Sequence, residues 1–473
     1  MAGQKDHLRR HHLDHAASEL SEETWDQRLR MTLAVLIISV TVWAICAVLR
    51  TVVHVAADGL LLTGLEHTWG PWALVAALTL GGLVQGALHR RPAWVDARGD
   101  GVDVTLAHYH STYDHLADDP QPRYNKSAFG LLWRKATLTT ITLSSGASGG
   151  LEGPVVLMGE CAGAGWSRVL RIRSEFELRT YQLVGVSAAV GSLLGAPFAA
   201  ALFATELAFS DRIIYRKLVY ALLGAVVVYG LNNHLLGPTP LLVAPERPGV
   251  YRLGEYLEVV AVALAVSAPV AIGMGLVLKH THGLLARVPP LLTAPLAAAA
   301  SGGLALALWF TLGLAPHHLL GMGEHTLAEL LNGGTLHSHF EPTPLTTAGI
   351  LGLAVVGKMI TTALTVQSGG SAGMLIPAMF MGGVSGAATH HLLVALGLGV
   401  GVDPAIFVVA GIASALVAVI QVPLSAIALV LEVFGPAYGP AAALSCGLCT
   451  IVTRKFSMYP QRHSPNPEGD EVG

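Results

Sequence analysis

Four carboxylates stand inside strongly apolar stretches of this sequence: Glu152, Glu160, Glu206 and Glu432. An ionisable residue at the centre of a bilayer costs about 2.5 to 3.5 kcal/mol on insertion scales, so each is a functional candidate by default. Glu152 is the most informative. It lies in Gly150-Leu151-Glu152-Gly153-Pro154, and proline is favoured in the first turn of a helix, so its carboxylate falls at a helix start. There the unpaired N–H groups and the positive end of the dipole hold either an anion or this carboxylate. Carboxylate and anion then compete for one site. The alternative for Glu152 is an ordinary N-terminal helix cap.

Glu160 reads as a paired structural carboxylate or as a proton station. Glu206 and Glu432 read as anchors at span ends or as relays. Lys358 is expected near the end of a span, where its ammonium can reach the interface. Gly146-Ala147-Ser148-Gly149 spells GxSG, the nucleophile motif of rhomboid-type intramembrane proteases, with His390 and His391 as the candidate bases. Cys446 and Cys449 are spaced like a redox pair, yet they share a helical face in an apolar run, so packing is the expected role. His7, His11, His12 and His15 have metal-ligand spacing in what reads as a solvated tail.

The elements that position these residues are membrane spans. The chain is 52% hydrophobic and 12% charged over 473 residues, against about 25% charged in soluble domains. Runs long enough to cross a bilayer include Met31 to Val53, Pro71 to Leu88, Tyr256 to Leu278, Leu291 to Leu312 and Ala348 to Val366. The first is expected to persist as a span, since a polar stretch precedes it and no cleavage site follows. Lys5, Arg9, Arg10, Arg28 and Arg30 precede it and Arg90, Arg91 and Arg98 follow the second, which places the N-terminus in the cytoplasm. The net charge of -3 gives no electrostatic support for a nucleic-acid partner.

An internal repeat organises the spans. Residues 145 to 159, SGASGGLEGPVVLMG, match residues 368 to 382, SGGSAGMLIPAMFMG, at 7 of 15 positions. Gly185, Pro197 and Glu206 keep the same spacing as Gly411, Pro423 and Glu432. Each block places Gly and Pro inside an apolar run, the mark of discontinuous helices whose ends meet at a binding site between repeats. The fold class expected is an all-α polytopic membrane protein of two inverted-topology repeats. Its parts are a His-rich tail (1–30), a first repeat (31–250), a second repeat (251–460) and a short C-terminal tail (461–473), too small for a regulatory domain.

The same residues resemble the CLC family of anion channels and proton/anion antiporters. Gly150 to Pro154 looks like the family signature Gly-Lys/Arg-Glu-Gly-Pro; Gly373-Met374-Leu375-Ile376-Pro377 is similar to Gly-Ile-Phe-x-Pro; and Gly99-Asp100-Gly101-Val102-Asp103 falls where the family has Gly-Ser-Gly-Ile-Pro. The resemblance implies that Glu152 is the gate and proton acceptor. It also implies that Asp100, Gly101, Gly153, Met374, Leu375 and Tyr459 surround the anion, and that the protein is a homodimer in the cell membrane with a pore in each subunit.

Departures from the pattern carry expectations of their own. Asp100 replaces the serine that touches the central anion, and its carboxylate, if ionised, repels chloride by several kcal/mol in a poorly screened pore. Asp100 and Asp103 have helix capping as the competing role. Leu151 replaces a basic residue. Leu207 stands where antiporters carry an internal glutamate, so Glu160 and Glu206 become candidates for a proton path. Transport of chloride or a similar anion, with or without protons, is the reading; a voltage- or pH-gated passive channel is the alternative, and an intramembrane serine protease a remote one. No enzyme activity, metal centre or cofactor is expected, and no P-loop or dinucleotide fingerprint is present in a plausible context.

Overall fold

The computed structural model describes residues 25–63, 67, 69–111, 127–209, 213–237, 241–247, 250–398 and 402–453. The tail histidines and Tyr459 lie outside the described residues. Sixteen α-helices are described, and they fall into two sets of eight. The first set is α1 Trp25–Asp58, α2 Gly70–Leu88, α3 Val102–Ser111, α4 Ala128–Ser144, α5 Glu152–Val169, α6 Glu175–Leu194, α7 Pro197–Phe209 and α8 Tyr215–Leu231. The second is α9 Leu253–Leu285, α10 Pro290–Leu312, α11 Glu324–Leu331, α12 Pro344–Gln367, α13 Leu375–Ala395, α14 Pro404–Ile420, α15 Pro423–Val433 and α16 Gly439–Thr453.

Local sequence explains many of the boundaries. Proline stands in the first turn of α10, α12, α14 and α15, where its missing N–H costs nothing. Ser127, Ser174, Thr343 and Asp403 cap α4, α6, α12 and α14 through their side-chain oxygens. Helix α6 stops at Gly195 and α14 at Gln421, both left-handed, φ 64° and 61°. Among the described residues six helical segments are long and apolar enough to span a bilayer, and Tyr215–Leu236 is one beyond the runs named above.

The two sets are inverted. Arg216 stacks on Phe176 at 4.5 Å and Arg30 lies within electrostatic reach of Glu177, so α1, α6 and α8 start on one face. Helix α9 ends on that same face: His282 contacts Gln367 at the end of α12, and Gly369 just beyond lies against His89 at the end of α2. Helix α2 packs antiparallel on α10, its repeat counterpart, with Gly86 against Leu291 and Gly82 against Ala294. Within each repeat one tight crossing recurs. Gly159 meets Gly185 between α5 and α6, and Gly382 meets Gly411 between α13 and α14, each backbone lying where a side chain would collide. Small residues let helices approach this closely where lipid offers no hydrophobic drive.

Lys358 departs from expectation. It lies well inside α12, fully buried, and donates to the Leu320 and Gly321 carbonyls at 3.3 and 2.7 Å. Its repeat counterpart Lys135 is buried in α4 and donates to the Ala97 and Gly99 carbonyls at 3.2 and 2.7 Å. A buried ammonium persists only where its protons find acceptors, and the carbonyls of the irregular loops before α3 and α11 supply them. The two lysines clamp equivalent loops from within.

Candidate functional site

The loops preceding α5 and α13 meet at the middle of the molecule. Gly150 donates to the Gly373 carbonyl at 2.9 Å and Gly373 to the Gly150 carbonyl at 2.7 Å, an isolated antiparallel bridge between equivalent residues of the two repeats. Side chains repeat the exchange. Ser148 bonds Thr362 at 2.9 Å and Ser371 bonds Thr139 at 2.7 Å, each pair joining one repeat to the other. Such self-complementary pairing is what a two-fold relation requires. It brings the starts of α5 and α13 together, so that their orphan N–H groups converge.

Two carboxylates occupy this junction. Asp100 is buried, and its Oδ1 accepts the Met374 N–H at 3.0 Å; the same oxygen lies against Gly153, where a side chain would collide with it. Asp100 thus binds the start of a helix from the other repeat, while Asp103 is exposed in the first turn of α3. Gly101, at φ 98°, turns the chain beside the Lys135 ammonium, which lies within electrostatic reach of Asp100.

Glu152 is 2% exposed. Its carboxylate folds back over Gly150 and faces the backbone N–H of Ile376, in the first turn of α13. Among the described residues its Oε2 has no hydrogen-bond partner. Glu152, Asp100, Gly101, Gly153, Met374 and Leu375 therefore come together. Lys135 was missed by sequence reading, although its recurrence as Lys358, in register with the repeated glycine blocks, is a signal that finds it.

The other acids separate by role. Glu206 accepts from the Leu424 and Ser425 N–H groups at 2.9 and 2.8 Å and from the Ser425 hydroxyl, at the start of α15. Glu432 accepts from the Phe198 and Ala199 N–H groups at 3.0 and 2.8 Å, at the start of α7. Each repeat caps a helix of the other. Glu160 is fully buried, holds the Gln182 amide at 2.7 Å and approaches His108 Nδ1 at 3.5 Å. Together with Tyr109, Gln182 and Leu207 it lines one cavity. Ser148, the nucleophile of the GxSG match, bonds Thr362, whereas His390 packs its ring against that of Phe407, centroids 4.6 Å apart. Cys446 and Cys449 are buried thiols.

Comparison with known proteins identifies the family and agrees with the overall fold. The model of the voltage gated chloride channel family matches residues 81–454. A chloride/fluoride channel protein of Pseudomonas syringae pv. tomato is 28% identical over 344 residues, 70% of each chain. Among solved structures, a CLC-type fluoride/proton antiporter has a TM-score of 0.74 at 18% identity, covering 93% of this chain and 99% of its own. A slow cyanobacterial chloride/proton antiporter has a TM-score of 0.73 at 18% identity, covering 90% of this chain and 94% of its own. A eukaryotic CLC transporter reaches 0.70 at 16% identity, covering 93% of this chain and 74% of its own.

Proposed function

Since this chain belongs to the voltage gated chloride channel family and is a multi-pass membrane protein that transports anions, we propose that its pathway runs between the starts of α5 and α13 and is gated by Glu152. One observation carries the reading: a buried carboxylate at a helix start, one oxygen unpartnered, facing the first turn of the opposing helix. Ionised, it takes the place an arriving anion needs. Protonated, it gives up its claim on those N–H groups and leaves the site to the anion. Chloride and fluoride are both candidate cargoes, in keeping with the ions named for the relatives.

Asp100 is a second tethered anion in this scheme. It takes the Met374 N–H that a passing anion would use, and Lys135 offsets its charge from below. Gly101, Gly153 and Leu375 line the same passage, and Tyr459 is assigned to it by family resemblance alone. Glu160 and His108 give protons a route on the basic face, from a cavity where Leu207 supplies no acceptor. Glu206 serves as a cap, both its oxygens being engaged.

The arginines at the start of α1 and after α2 support a cytoplasmic side for that face and for the N-terminus, with the protein in the cell membrane. The repeats divide between α8 and α9, and the protein works as a homodimer, by family resemblance. Purified protein in liposomes under an imposed anion gradient tests the coupling. Uphill proton movement marks an antiporter; anion dissipation with no pH change marks a passive channel.

A further inference from the structure

The face opposite the basic one carries a set of titratable groups that the scheme above leaves unused. His54 and Asp58 on the last turns of α1 and Glu324 and His325 on the first turn of α11 line one cavity, with His317 at its edge. They form a chain of short steps: His325 Nε2 to Asp58 Oδ1 at 3.3 Å, His54 Nδ1 to Asp58 Oδ2 at 4.0 Å, and His54 Nε2 to Glu324 Oε2 at 3.9 Å. Exposure falls along it, from 53% at His325 and 41% at Asp58 to 24% at His54 and 19% at Glu324. Glu324 in turn is one of the charges acting on Glu152, which is 2% exposed.

The inner end is tied to the gate. Gly149 donates to the Gly321 carbonyl and Gly321 to the Gly146 carbonyl, both at 3.2 Å, so the loop before α11 lies directly against the loop before α5. At the equivalent place in the first repeat stand Val102 and Asp103 instead of Glu324 and His325, so the cluster belongs to one face only. No group of three or more His, Cys, Asp or Glu among the described residues is arranged to hold a metal ion.

We propose that His325, Asp58, His54 and Glu324 form a proton relay that loads and unloads Glu152 from the face opposite the N-terminus. The inference rests on Glu152 being the gate. Imidazole and carboxylate alternate from His325 to Glu324, with one gap at hydrogen-bond distance and two at 3.9 and 4.0 Å that a side-chain rotation closes, and in the proposal water carries the proton from Glu324 to Glu152. Imidazole exchanges protons readily near neutral pH. A proton taken from water at His325 leaves each intermediate group in its starting state once Glu152 Oε2 receives one, so nothing is consumed. The other charged and titratable groups facing the chain are Arg50 on α1, His317 and His318 before α11, Lys358 on α12, and His337, which acts on His318.

The test is the rate at which chloride or fluoride efflux from proteoliposomes responds to rapid acidification on the relay side. Glu324→Gln and His54→Ala are expected to slow the response about tenfold or more while leaving anion affinity, read by calorimetry, unchanged. Imidazole added to that side restores His54→Ala, which a packing role would not allow. A response unchanged in both variants, or a slowing that imidazole leaves in place together with altered anion affinity, overturns the relay. In a Glu152→Gln background neither substitution changes the flux; if Glu152→Gln itself still answers acidification like the native protein, the gate assignment falls, and the relay with it.

Discussion

Asp100 Oδ1 accepts the Met374 N–H at 3.0 Å, so a side chain from the first repeat satisfies the opening N–H of a helix in the second. The carboxylate stands where a free anion would gain the same bond. In the proposed pathway it competes with the cargo from a fixed position, as Glu152 does from the other helix start.

Replacing Asp100 by Ser removes that competitor. Calorimetric titration of the Asp100→Ser protein with chloride is expected to show binding tighter by about tenfold, the equivalent of 1.4 kcal/mol, a modest part of a charge repulsion at this range. Weaker or unchanged binding would remove Asp100 from the pathway.

Glu160→Gln keeps an acceptor for the Gln182 amide but removes the titratable carboxylate beside His108, the proton path proposed above. Proton flux in liposomes should fall at least about tenfold with anion flux within about twofold. Equal loss of both fluxes would mark Glu160 as structural.

Glu206 and Glu432 cap each other's repeats, so Glu432→Gln should lower stability through the lost charge-assisted bonds to Phe198 and Ala199, by about 1.5 to 3 kcal/mol. Thermal unfolding of the detergent-solubilised protein reads this, and Glu206→Gln should behave alike. A Glu206→Gln protein of native stability that had lost proton flux would make Glu206 a relay.

The Gly159–Gly185 and Gly382–Gly411 crossings leave no room for a methyl group. Gly411→Ala should cost about 1 to 3 kcal/mol by overpacking, seen as a lower melting temperature. A neutral outcome would show that α13 and α14 slide apart freely.

How far the sequence went is visible in these residues. The broken helices at Glu152 and Met374 were legible because Gly and Pro interrupt apolar runs at one repeating interval. The bond from Met374 N–H to Asp100 was not legible, since contact between residues 274 apart leaves no local pattern. The buried position of Lys358 was misread because a lone lysine in an apolar run looks like an interfacial one; only pairing it with Lys135 exposes the shared clamp. The span at Tyr215–Leu236 is less legible, as Arg216 and Lys217 interrupt the apolar pattern at its start. The cluster of His54, Asp58, Glu324 and His325 joins segments far apart in the chain, where each residue alone reads as an ordinary polar end of a helix.

The most direct test of the account is anion and proton flux through Glu152→Gln in liposomes under a chloride gradient. Anion flux is expected to persist, to have lost its response to pH, and to carry no protons. Flux that kept the native pH dependence in this variant would contradict it.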